Sequence, residues 1–142
     1  IGTVVAPLPD IDESSIIIVK PESGSSTVKA YDAIDAMGES LKHTKNNDML
    51  ECLLEQDFKG ALKYCDNVFE LVIEVPDRAD IKHILRTHNA SASCMSGSGS
   101  AIYGIFSCEE DAKKAKAELE KKYDKVYLCN RKNRGVEKIS EE

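Results

Sequence analysis

The sequence predicts an α+β domain, and three observations carry that expectation. A β-branched run occupies residues 15–19, two strand-like runs flank a serine and glycine stretch at 96–100, and an amphipathic segment at 107–123 leads into a last apolar run. Short apolar runs of strand length therefore alternate with stretches of helical period along one short chain.

Taken in order, Ser15-Ile16-Ile17-Ile18-Val19, closed by Pro21 and Gly24, predicts a first strand buried on both faces. Val28, Tyr31, Ile34 and Met37 then recur near helical spacing, with Thr27 as the expected N-cap. Met49–Leu54 and Phe58–Cys65 read as two shorter helices, each preceded by an aspartate suited to capping, Asp48 and Asp57. The run 68–75 fits two patterns, because Glu70 and Glu74 alternate with apolar residues while Val68, Leu71, Val72 and Val75 also form a helical stripe. After Pro76, the residues Ile81, Ile84, Leu85 and His88 share one helical face. Ala90–Met95 and Ala101–Phe106 are expected strands on either side of the loop. Ser107 with Glu110 forms a capping box. It opens a helix with Glu109 and Asp111 in its first turn and Lys121 and Lys122 in its last, as the helix dipole favours. The apolar stripe of that helix is Ala112, Ala115, Leu119 and Tyr123, and Val126–Cys129 makes the final strand. Strand, helices, strand, strand, helix, strand is the order of a ferredoxin-like split βαβ with extra helices in its first crossover.

Composition narrows the function classes. With 142 residues, 42% of them hydrophobic, the chain suits one domain with a real core. A formal charge of −6 argues against nucleic acid or an anionic membrane as partner, and the small basic cluster Arg131, Lys132 and Arg134 reads as a solvated turn. Five cysteines, an odd number with no C-x-x-C pair, suggest neither a disulfide framework nor a zinc site. A reduced, cytoplasmic setting is the simplest reading. No apolar run reaches about 18 residues and no signal peptide is recognisable, so no membrane span is expected. The chain starts at Ile1, as part of something longer would.

Met95-Ser96-Gly97-Ser98-Gly99-Ser100 is the stretch with chemical promise. Two glycines two residues apart let the backbone turn sharply and bring successive N–H groups close to an anion, and serine hydroxyls add donors. A dinucleotide fingerprint does not fit, because a strand-like run and not a helix follows Gly99. A Walker loop fails as well, since no Gly-Lys-Ser or Gly-Lys-Thr follows. The other reading of the spacing is a tight hairpin without chemistry.

The same six residues, followed by Ala101-Ile102-Tyr103-Gly104-Ile105-Phe106, resemble the third motif of the GHMP small-molecule kinases. Other stretches agree in order: Pro7-Leu8-Pro9, then Pro21 with Ser26-Thr27 and Tyr31, then Asn67 with Phe69-Glu70, then Pro76. At Asn89 the family usually has glycine, and asparagine is the next most tolerant residue for left-handed backbone. The resemblance implies a helix across 68–75. It also implies that residues 1–142 are a single C-terminal domain starting near Gly2, because the family's Pro-x-x-x-Gly-Leu-Gly-Ser-Ser type ATP loop, catalytic aspartate and lysine match nothing in this sequence.

What the resemblance implies for chemistry is phosphoryl transfer from ATP, with Mg2+, to the 2-hydroxyl of a cytidine diphosphate-linked methylerythritol. ATP and Mg2+ would be held mainly by the N-terminal kinase domain, the partner of this one. Ser96, Gly97, Ser98, Gly99 and Ser100 would then support the phosphate loop of that domain and present N–H donors to the transferring group. Tyr31 would stack on the cytosine with Thr27 lining the pocket, although periodicity alone would put Tyr31 in a helix core. Asn67 reads as a helix cap, His88 as a packed residue, and Asp32 and Asp35 as solvated acids. His43 and His83 have no partner at metal-ligand spacing, so neither a metal site nor a catalytic base is expected here. A homoserine or mevalonate type of GHMP kinase, and a non-enzymatic ligand-binding domain, stay open as alternatives.

Overall fold

The computed structural model describes residues 6–12, 14–41 and 45–132, so Gly2, His43 and Arg134 lie outside the described residues. Four strands, β1 (Ser15–Val19), β2 (Ala92–Met95), β3 (Ile102–Phe106) and β4 (Val126–Asn130), form one sheet in the order β2-β3-β1-β4. Every pairing is antiparallel. Five α-helices accompany them among the described residues: α1 (Thr27–Met37), α2 (Asn46–Leu54), α3 (Phe58–Ala61), α4 (Arg78–Thr87) and α5 (Glu109–Leu119). The expected α+β class and the sequence of strands and helices both hold.

The core lies between the sheet and α4 with α5. Ile17 and Val19 of β1 meet Ile102 and Phe106 of β3 on one face, under Ile81, Ile84 and Leu85 of α4 and Ala112, Ala115 and Leu119 of α5. Small residues on α5 bring that helix close to the sheet, and full burial of a side chain such as Phe106 contributes roughly 1.5–3 kcal/mol. Leu85 presses on Gly104 so closely that an added β-carbon would stand 2.8 Å from its Cδ2. Gly104 thus sets the distance between α4 and β3. The chain leaves α4 through Asn89, whose φ of +66° is the left-handed conformation expected where glycine is usual.

Several local expectations change. In β1, burial alternates, with Ile16 and Ile18 only half-buried, because α4 and α5 fill one face and the other is incompletely covered. Ser26, not Thr27, caps α1, its hydroxyl accepting from Lys29 N. Lys45 precedes α2, so Asp48 sits in the first turn instead of capping it, whereas Asp57 does cap α3 by accepting from Gly60 N at 2.8 Å. The segment 68–75 is neither strand nor α-helix: a 3-10 turn at Val68–Leu71 is followed by irregular chain. Its charged Glu70 is turned inward to partners on α4 and β2, which overrides both repeating patterns. Cys108 stands at the N-cap of α5, and Ser107 pairs with Ser91 across the hairpin instead of forming a capping box. Lys121 and Lys122 fall beyond the end of α5, where Lys122 reaches Asp80 of α4 at 3.0 Å.

Candidate functional site

The stretch 96–101 closes the β2–β3 hairpin. Met95 pairs with Ile102 as the last rung, Ser96 N donates to Ala101 O at 2.8 Å, and Gly99 N donates to Ser96 O at 3.0 Å. Gly97 has φ +53° and Gly99 φ +89°, both in the region that disfavours any β-carbon. The two positions differ in their surroundings. A β-carbon on Gly97 would meet open space, but one on Gly99 would stand 2.8 Å from the sulfur of Met95, a fully buried core residue.

Side chains from three separate parts of the chain hold this turn. From the end of β1, Lys20 Nζ donates to Ser100 Oγ at 2.6 Å, and Ser100 is only 1% exposed. At the start of α1, Ser25 Oγ donates to Ser98 O and Thr27 Oγ1 lies 3.0 Å from Ser98 Oγ. On the opposite flank, Asn67 Nδ2 donates to Met95 O at 2.7 Å and to Gly97 O at 2.8 Å, while its Oδ1 accepts from Phe69 N at 3.0 Å. Glu70 adds a fourth tie, accepting from Met95 N at 2.6 Å and from Lys82 Nζ at 2.6 Å.

Serines and glycines 96–100 and Thr27 are therefore brought together. Tyr31 lies one turn further along α1. Its ring sets an edge against Phe69, with centroids 5.1 Å apart at 74°, and the residue is 56% exposed. Val28 beside it is 71% exposed, and Ala30 alone is buried in α1. The first half of the apolar stripe that periodicity assigned to a core, Val28 and Tyr31, thus faces outward, while Ile34 and Met37 are half-buried. Lys20, Ser25, Asn67 and Glu70 are not among the site residues the sequence suggests, although Asn67 reads as a cap and both Asn67 and Glu70 lie in a stretch that agrees with the family.

Charge within this network is settled by contact. Burial works to raise the Glu70 carboxyl, but the hydrogen bonds from Lys82 and from the Met95 amide, together with the Lys82 charge, hold it below the usual glutamate range. Glu70 thereby stabilises the fold above the unfolded-state pKa of about 4.3, and this contribution is lost as pH falls through its lower folded value. Melting curves of wild type and Glu70→Gln are accordingly expected to differ most near neutrality and to converge in acid; a gap that stays constant down to pH 3 would remove Glu70 as the cause. Burial and the neighbouring Glu70 push the Cys94 thiol up to about 12, so it is no nucleophile.

The donor set suits a phosphate. Gly97 N and Ser98 N have no hydrogen-bond acceptor among the described residues, and the hydroxyls of Ser96 and Ser98 lie in the same turn. Among the described residues no cluster of His, Cys, Asp or Glu is arranged to hold a metal ion. No described helix is long and apolar enough to cross a membrane.

Comparison with known proteins gives the family and the fold. Residues 49–125 match the family described as GHMP kinases C terminal. A 4-diphosphocytidyl-2-C-methyl-D-erythritol kinase of Clostridioides difficile (strain 630) is 36% identical over 127 residues, covering 88% of this chain and 43% of that protein. The chain therefore spans less than half the length of that relative. A crystal structure of 4-(cytidine 5'-diphospho)-2C-methyl-D-erythritol kinase superposes with a TM-score of 0.66 at 20% identity, covering 84% of this chain and 43% of that one. The mevalonate kinase of L. major in complex with R-mevalonate gives 0.70 at 13% identity, over 89% of this chain and 45% of that one. At such identities the two structures speak to fold alone.

Proposed function

Since the chain belongs to the GHMP kinases, matching the C-terminal part of that family, we propose that residues 1–142 form the substrate-binding and glycine-loop domain of an ATP-dependent small-molecule kinase. The acceptor is the 2-hydroxyl of 4-diphosphocytidyl-2-C-methyl-D-erythritol, and the strand order β2-β3-β1-β4 is read as the ferredoxin-like split βαβ. What carries this reading is the meeting of the glycine loop with the start of α1, where Thr27 Oγ1 and Ser98 Oγ lie 3.0 Å apart and Tyr31 stands exposed one turn on. Chemistry at the loop and recognition of a base would then share one face. ATP with Mg2+, held mainly by an N-terminal domain, supplies the phosphoryl group and neutralises part of its charge. This chain contributes position and donors: the amides of Gly97 and Ser98 face the charge that develops on transfer, and Tyr31 offers a flat face to cytosine.

Identity of the acceptor is tested on the complete protein, with ATP and Mg2+, against the cytidine-linked alcohol, mevalonate and homoserine. Rapid turnover of the first alone is expected. Preference for either of the others would reassign the substrate within the family, and binding without turnover would favour a ligand-binding module. Within the preferred reading, Tyr31→Ala raises KM for the cytidine substrate about tenfold, since stacking contributes roughly 1–3 kcal/mol per base. Tyr31→Phe should be mild. An unfolded Tyr31→Ala protein whose folded fraction keeps its KM would return Tyr31 to a structural role.

A further inference from the structure

Asn67 does more than a cap requires. Its amide has one orientation that satisfies every neighbour, with Oδ1 toward Phe69 N and the two hydrogens of Nδ2 toward the carbonyls of Met95 and Gly97. The flipped amide would set its oxygen against two carbonyl oxygens. Each peptide is planar and its C=O and N–H point in opposite directions, so fixing one fixes the other. Tying Met95 O to Asn67 sends Ser96 N to its bond with Ala101 O, the first rung of the turn. Tying Gly97 O to Asn67 turns Ser98 N–H away from Asn67, and that N–H has no acceptor among the described residues. A plain hairpin turn would not need the second tie.

We propose that Asn67 is a positioning residue that sets the Gly97–Ser98 peptide and so aims the Ser98 amide at the transferring phosphoryl group. Its effect on turnover rests on the kinase reading above; its effect on the loop does not. Asn67→Asp separates cap from clamp, because the carboxylate can still accept from Phe69 N but offers two carbonyls no donor. The experiment uses the complete protein and measures steady-state kinetics, melting temperature and backbone hydrogen exchange of residues 95–101 for wild type, Asn67→Asp and Asn67→Ala. Asn67→Asp is expected to exchange faster in 95–101 with β3 unchanged, to melt a few degrees lower because two carbonyls lose their donor and face a carboxylate, and to lose about fivefold in kcat per folded molecule with KM for the alcohol held within about twofold, a smaller loss than full deletion of a donor gives. Asn67→Ala should add a fall in melting temperature from the lost cap. A folded Asn67→Asp protein with wild-type exchange and kcat would overturn the proposal, as would losses in both variants that only follow stability. If the wild-type protein phosphorylates none of the three alcohols, the kinase reading fails, and faster or unchanged exchange in Asn67→Asp still decides whether Asn67 sets the loop.

Discussion

On the proposed kinase reading, Gly99→Ala in the complete protein is expected to lower kcat by about a hundredfold, and Gly97→Ala by more than about tenfold, because losing one well-placed donor to a developing charge costs roughly 10²–10³. Both residues hold left-handed φ values that alanine resists. The larger effect falls on Gly99, where the new methyl would press on the Met95 sulfur at 2.8 Å, and Met95 is buried in the core. Relief comes from a shift of the Met95 thioether within the core or of the loop against its anchors on Lys20, Ser25 and Asn67. At Gly97 space is open, so only backbone strain acts, of order 1–3 kcal/mol. Melting temperatures should fall by a few degrees. Gly104→Ala is the control: its methyl would collide with Leu85 in the core, away from the loop, so stability should drop while kcat per folded molecule holds. Folded Gly97→Ala and Gly99→Ala proteins with unchanged kcat would reduce Ser96–Ser100 to a connector between β2 and β3.

The second large effect is loss of turnover when residues 1–142 stand alone: ADP release with ATP, Mg2+ and the cytidine-linked alcohol should equal background. Phosphoryl transfer depends on holding nucleophile, phosphorus and leaving group in line, and such positioning supplies about 7–11 kcal/mol of barrier reduction. On the proposed reading this chain offers one side of that arrangement. It covers 43% of the Clostridioides difficile relative, and its described residues present donors for a phosphate but no carboxylate cluster for a metal. Circular dichroism on the same sample would show whether the domain is folded when assayed. Magnesium-dependent phosphorylation of any of the alcohols by the folded chain would overturn the division of labour between two domains.

Strand positions were legible because short apolar runs bounded by turn residues have the length of a strand, and β1, β3 and β4 all fall within a residue or two of where those runs put them, although the continuous run in β1 hid that only one of its faces is fully covered. The amphipathic stripes of α4 and α5 were legible from their helical period. The α1 stripe was misread in one respect: Val28 and Tyr31 repeat like core residues yet point out, since periodicity reports that a face is apolar and not what covers it. At 68–75 the pattern failed because Glu70 is buried by specific partners, Lys82 and the Met95 amide, which lie far away in sequence. Glycines 97 and 99 could be recognised from their spacing, since the need for left-handed backbone is local. The anchors could not. Lys20, Ser25 and Asn67 are common residue types whose role exists only once the sheet has brought 20, 25, 67 and 96–100 to one place.

Those anchors make the glycine turn a poor candidate for transplantation. Moving Met95–Ser100 into another hairpin would carry along the two left-handed glycines and leave behind the lysine just after β1, the serine before α1 and the asparagine of the first crossover that hold it. The grafted segment would keep its sequence identity and lose its shape, sampling many peptide orientations where the native turn has one. An engineer wishing to move this turn in its native shape would have to move the neighbourhood, from the end of β1 through the 3-10 turn, along with it.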